Sequence, residues 1–180
     1  MILSQIEIKE MALRLFNDKA LLKVREALDI AEDITGNYYK FSSRQWGKYS
    51  FDVKTLSSLK TDEISDYAFA ILNKIPRYVD KLEQKTKKRD FYFICLQDHH
   101  ILEALARDKE LSLPPLLIYI FTHELVHIIR FCNYLQRFDV SEREKNAEER
   151  IVHAITFDIL QDVPLVKLDY VLDSYKEFGI

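Results

Sequence analysis

His123-Glu124-Leu125-Val126-His127 lies inside the longest apolar stretch of this 180-residue chain, between Ile120-Phe121-Thr122 and Ile128-Ile129-Arg130. On a helix, residues four apart stand one above the other on one face. Two imidazoles so placed can fill two of the four tetrahedral positions of a zinc ion. The glutamate beside the first histidine is then placed to take a proton from a water on that metal. Apart from Glu124 and Arg130, no charged residue stands within three positions of the motif. Two histidines and a carboxylate thus sit where a core helix should be. Burying such groups unpaired is costly, and a shared metal satisfies them together. The competing reading is a core helix with two hydrogen-bonded histidines and a buried ion pair.

Working outward, Pro114 and Pro115 suit the first turn of that helix, which is predicted to run to about Gln136. Ser141-Glu142-Arg143-Glu144 is a capping box, so the next helix should start at about Glu142 and reach about Leu160. Phe91-Tyr92-Phe93-Ile94-Cys95-Leu96 is the clearest strand, and Tyr49-Phe51-Val53 alternates like a second. Leu21, Val24, Leu28 and Ala31 mark an early amphipathic helix, with Asn17 or Asp18 as cap and Gly36 just past its end. Further helices are expected over about Ser4–Phe16, from Thr61 or Asp62 to before Pro76, from about Asp98 to Glu110, and after Asp162 and Pro164. A basic helix or turn carries Lys81, Lys85, Lys87, Lys88 and Arg89, read as a solvated face.

The expected fold class is α+β, predominantly helical, with a short sheet. The motif helix should pack against the ligand-bearing helix that follows it. No repeat or linker divides the chain. Residues 1–180 read as one domain, with a helical and aromatic part (1–90), a metal-site core (91–160) and a C-terminal helix (161–180). Composition agrees: 48% apolar and 31% charged residues describe a globular chain, and three glycines and four prolines argue against a loop-rich or all-β fold. The net charge of −3 favours neither nucleic acid nor an anionic membrane. Cys95 and Cys132 sit in apolar runs and read as reduced residues of a cytoplasmic protein. Leu113 to Leu135 nearly matches a bilayer in length, but it carries His123, Glu124, His127 and Arg130, so a buried central helix is expected rather than a membrane span.

The H-E-x-x-H resembles the signature of the zincin metallopeptidases. The metzincin subgroup adds a glycine and a third histidine, and this chain has Arg130 and Asn133 at those places. In the gluzincin-like subgroup the third ligand is a glutamate on a later helix. That helix offers Glu144, Glu148, Glu149 and His153. At about 100° per residue, Ile151, Val152, Ile155 and Ile159 define its apolar face. Glu148 then points into the face, while Glu149 lies to the side with His153 and Thr156. Glu144 is reserved for the cap. The expected ligand set is therefore His123, His127 and Glu148, holding one Zn2+ per chain. A buried Glu148–Arg130 salt bridge is the rival use of Glu148, and Val152 stands where some gluzincin-like families carry an aspartate.

The resemblance implies a zinc-dependent peptidase acting on a peptide or protein substrate. A zinc-activated water attacks the peptide bond, and Glu124 is the general base. It also implies an edge strand lining the cleft, a role for which Phe91–Leu96 is placed. It further implies an oxyanion donor, for which His99, His100, Tyr170 and Tyr175 are candidates. His153 is expected as an exposed partner of Glu149. Two other functions fit the residues less fully. One is a non-enzymatic, metal-containing interaction domain with a binding surface in the Tyr- and Phe-rich first ninety residues. The other is a ferritin-like di-iron protein, using Glu124-x-x-His127 and the nearby Glu149 and His153.

Overall fold

Among the described residues, the most extensive helix-to-helix contact joins α1 (Asp18–Tyr39) to α4 (Leu113–Cys132), the helix that carries the motif. This computed structural model describes residues 13–77, 89–133, 135, 138 and 140–176. The Asn17 side chain accepts the Ala20 amide at 2.9 Å and starts α1, as expected of an N-cap. Its buried stripe is Ala20, Val24, Ala27, Ala31 and Thr35, whereas Leu21 is exposed. Small side chains at helical spacing bring the backbone of α1 close to α4. Gly36 lies inside α1, not beyond it. A Cβ there would stand 2.4 Å from Trp46 Nε1, so the indole occupies the space that a side chain would need. Trp46 closes α2 (Ser43–Trp46) and belongs to an aromatic cluster with Phe41 and Tyr49.

Three strands form one sheet in the order β1-β3-β2: β1 (Phe51–Lys54), β2 (Ala70–Arg77) and β3 (Arg89–Leu96). β1 runs parallel to β3, with Val53 opposite Ile94. β2 runs antiparallel to β3, with Leu72 opposite Ile94. On β3, Tyr92 and Ile94 are buried while Phe91 and Phe93 are only partly so, the period of two expected of a strand with one covered face, and from Ile94 to Leu96, Cys95 included, both faces are covered. The expected helix from Thr61 to Pro76 is a single 3-10 turn, Thr61–Glu63, followed by β2. Pro76 stops no helix; it sits in an edge strand, where a missing N–H is tolerated. Pairing with Phe91–Leu96 decided this segment, and that partner lies outside any local window.

Gln97 and Asp98 tie the end of β3 to three segments. Asp98 accepts the amides of Phe16 at 2.9 Å and Leu56 at 3.0 Å. Gln97 donates to the Glu63 carbonyl and accepts from the Ser65 amide. α3 (Asp98–Arg107) follows.

α4 is buried throughout from Pro115 to Ile129, as its apolar circumference requires. It is long and apolar enough to cross a membrane, yet 83% of that window is covered by the rest of the protein. It stops at Cys132, four residues before the expected end. α5 (Glu142–Leu160) begins at the expected capping box: the Ser141 amide donates to Glu144 Oε2 at 3.1 Å. α6 (Leu168–Tyr175) starts later than Asp162 or Pro164. Cys95 and Cys132 are both free thiols. The expected helix before residue 12 and the lysines of 81–88 lie outside the described residues, and Leu13–Asn17 is not helical. The architecture is α+β, mostly helical, with α4 at the centre.

Candidate metal centre

α4 presents His123, Glu124 and His127 on its cleft side, each at most 5% exposed. α5 packs beside it and brings the Glu149 carboxylate to the two rings. His123 Nε2 lies 3.2 Å from Glu149 Oε2, His127 Nε2 lies 3.2 Å from Glu149 Oε1, and the two Nε2 atoms are 3.2 Å apart. Ligands about 2.0 Å from a tetrahedral ion stand about 3.3 Å from one another. The two Nε2 atoms match that spacing, and each lies at it from one of the two Glu149 oxygens, so that with one carboxylate oxygen as ligand the three atoms stand within 4.8 Å of one another. Among the described residues, this is the one group of three His, Cys, Asp or Glu side chains close enough to share an ion.

The charges fit the same chemistry. Burial pushes His123 down to about 4, so at neutral pH the imidazole is uncharged, the form that binds a metal. Burial acts against ionisation of Glu149, but its hydrogen bonds to His123 and His127 outweigh it and hold the carboxyl well below the usual range. It is therefore an anion that accepts from two imidazoles, and one carboxylate with two imidazoles is a donor set suited to zinc once the ion takes the place of the Nε2 protons. His123 Nδ1 is buried with no hydrogen-bond partner, so the ring is held by packing rather than by a second acceptor.

The expected third ligand, Glu148, is not in this group. It faces Arg130, with the guanidinium Nε and Nη2 on its two oxygens, Nη2 at 3.1 Å from Oε2. The reason lies in the register of α5. Its buried face is Glu148, Val152, Thr156 and Ile159, while Ile151 is 42% exposed. Counting Ile151 as core turns the inferred face by roughly 50°. With the true centre, Glu148 and Glu149 flank it on opposite sides, one toward Arg130 and one toward the histidines.

Glu124 lies on the same cleft, and burial pushes its carboxyl up to about 7 against the pull of His127. The cleft is about 1130 Å3 and open to solvent. One wall is the start of β2, Ala70 to Leu72; the other is the face of α5 from Glu142 to His153. The strand beside the site is thus β2, which is an edge, whereas Phe91–Leu96 is the central strand of the sheet.

None of the four candidate oxyanion donors lines the cleft. His99 and His100 sit at the start of α3, with His100 Nε2 on the Ser65 carbonyl; Tyr170 donates to Asp108; Tyr175 stacks on Tyr119. His153 does line it. Its Nδ1 lies 2.9 Å from the Tyr119 hydroxyl and its Nε2 lies 2.9 Å from the Lys176 carbonyl. A carbonyl only accepts, so Nε2 carries the proton and Nδ1 accepts from Tyr119. Its spacing of four from Glu149 was the signal that placed it on this face. Both His153 nitrogens are engaged away from Glu149, which removes it from the paired iron-ligand role as well.

Compared with known proteins, the chain matches no family model, no curated protein and no solved structure.

Proposed function

We propose that this protein is a zinc-dependent peptidase, with His123, His127 and Glu149 as metal ligands and Glu124 as general base. The observation that carries this reading is the convergence of His123 Nε2, His127 Nε2 and a Glu149 carboxylate oxygen to within 4.8 Å of one another, beside Glu124 in an open cleft. Zinc held there would supply Lewis acidity, polarising a substrate carbonyl and acidifying a water. Glu124 takes the proton from the attacking water and returns it to the leaving amine. Burial pushes Glu124 up and so favours its holding a proton between the two steps. Among the described residues the outer edge of β2 is unpaired, and its backbone N–H and C=O groups are offered to an extended substrate, which adds as a fourth strand and lies across the ligands.

The test is metal content followed by turnover. Purified protein should carry one zinc per chain. A mixed peptide library should be cleaved by the zinc form, not by chelator-treated protein, and cleavage should return when zinc is restored. Stoichiometric zinc with no cleavage of any peptide would instead support a metal-stabilised interaction domain. Absence of zinc binding would sink both.

A further inference from the structure

The two walls of the cleft run in opposite directions, and their ends differ in chemistry. β2 begins beside the end of α6, where Phe69 packs edge-on against Tyr175 at 5.6 Å. It then runs toward Phe138, whose ring centre lies 5.8 Å from Lys74 Nζ. α5 runs the other way, from Glu142 to His153, and His153 holds the Lys176 carbonyl. Glu149 lies between, about 10 Å along the helix from Glu142 and about 6 Å from His153. One end of the cleft carries Phe131 and Phe138 and, among the described residues, no unpaired cation; the other carries Tyr67 and, beyond it, Lys176.

A strand added antiparallel to β2, the better-bonded arrangement, has its direction fixed by this frame. It enters N-terminus first at the Phe138 end and leaves toward Lys176. The residue before the scissile bond faces the aromatic rings, and the residues after it face Lys176. The charges sharpen the picture. The chain carries a net −3, yet the cleft, apart from Glu124 and the metal ligands, is lined by Lys145, Arg150 and Lys176 against Glu142 alone. Glu142 already engages Lys145 at 3.2 Å. Among the described residues Arg150 forms no ion pair, and the Lys176 ammonium lies over the Phe157 ring, 5.8 Å from its centre. The excess positive charge sits at the level of Glu149 and beyond it, on the side of the leaving peptide.

We propose that this cleft selects peptides with a large apolar residue just before the scissile bond and a carboxylate within the next two residues, read by Arg150 and Lys176. The carboxylate belongs either to an Asp or Glu side chain or to the peptide's own C-terminus. The proposal rests on the peptidase reading and names its substrate class.

The experiment measures binding to zinc-loaded Glu124→Gln protein by fluorescence anisotropy. The probes are labelled pentapeptides with Phe as the third residue, before the bond to be tested, and Glu, Gln or Lys as the fifth and last. The Glu and Lys peptides are amidated; the Gln peptide is made both amidated and with a free C-terminus two places past the bond. The Glu amide or the Gln free acid should bind about three- to tenfold more tightly than the Gln amide, the gain expected of two exposed cations. The tighter of the two identifies the source of the carboxylate. The Lys amide should bind weakest. Arg150→Glu with Lys176→Glu should invert the order of the Glu and Lys amides, and both sites are exposed enough to change without unfolding. Equal binding of the Glu and Gln amides together with no gain for the free acid, an order unchanged by the double reversal, or no binding at all would overturn the proposal. Zinc-dependent cleavage of the same peptides by wild type is scored separately. Cleavage without a charge preference removes this inference and leaves the peptidase reading. Charge-ordered binding without cleavage removes hydrolysis and leaves the polarity of the cleft.

Discussion

Glu148 and Arg130 form a forked ion pair between the two helices that carry His123, His127 and Glu149. Arg130 stands three residues after His127, and Glu148 one residue before Glu149. Their side chains are 11% and 14% exposed, so each charge depends on the other. Removing one partner of such a pair leaves an uncompensated buried charge, at a cost of about 3–5 kcal/mol. Glu148→Ala should therefore lower stability by about 3 kcal/mol in urea unfolding while still binding one zinc at saturation. If stability is unchanged, the pair does not hold the helices together.

Glu149→Ala should do the reverse. The variant should fold and fail to retain stoichiometric zinc through dialysis. Elemental analysis of the two alanine variants side by side separates their roles. Zinc lost from Glu148→Ala and kept by Glu149→Ala would return the ligand to the position expected from sequence.

Glu124→Gln should keep zinc and lose about 10²- to 10⁴-fold in turnover, the usual contribution of a positioned base. The amide has nearly the shape of the acid and cannot take the proton. Turnover within a few-fold of wild type would exclude Glu124 as the base.

Much of this site was legible before any coordinates, and the failures have one cause. The motif helix, the capping box at Ser141 and the strand through Phe91–Leu96 are written in neighbouring residues, so local patterns found them. β2 was not found, because Ile71, Leu72 and Ile75 fit a helical or an extended period until β3 is beside them. Glu149 was missed because adjacent helical residues differ by about 100°, and a single exposed isoleucine, Ile151, moved the inferred core by half that angle. Position along the chain was readable; rotation about the helix axis needed the packed neighbour.

Acid sensitivity should show a contribution from Glu63. This buried carboxylate accepts from Lys54 Nζ at 2.8 Å, the Lys60 amide at 2.9 Å and Asn73 Nδ2 at 3.1 Å. The hydrogen bond from Lys54 is the main cause holding it down to about 2. A carboxyl lowered on folding stabilises above its ordinary value of about 4.5, and that stabilisation is lost as pH falls toward about 2. Glu63→Gln should cost about 1–2 kcal/mol at pH 7, and the gap to wild type should close as pH drops from 5 to 3. A gap independent of pH would show that the charge of Glu63 contributes nothing.

Gly36→Ala should destabilise the protein by about 1–3 kcal/mol, although alanine is the better helix former. The added methyl meets the Trp46 indole, and the aromatic cluster must shift to admit it. Tryptophan fluorescence should move together with the unfolding midpoint. A variant as stable as wild type, or more so, would mean that the indole yields freely.

The stripe of alanines on α1 also bears on how the protein comes into being. α4 alone is as greasy as a membrane segment and would be a hazard in water or beside a bilayer. Synthesis proceeds from the N-terminus, so Asp18–Tyr39 is complete 74 residues before Leu113, where that hazard begins. The cover is made before the helix it must hide, and a chain begun at the metal-site segment would be born without it.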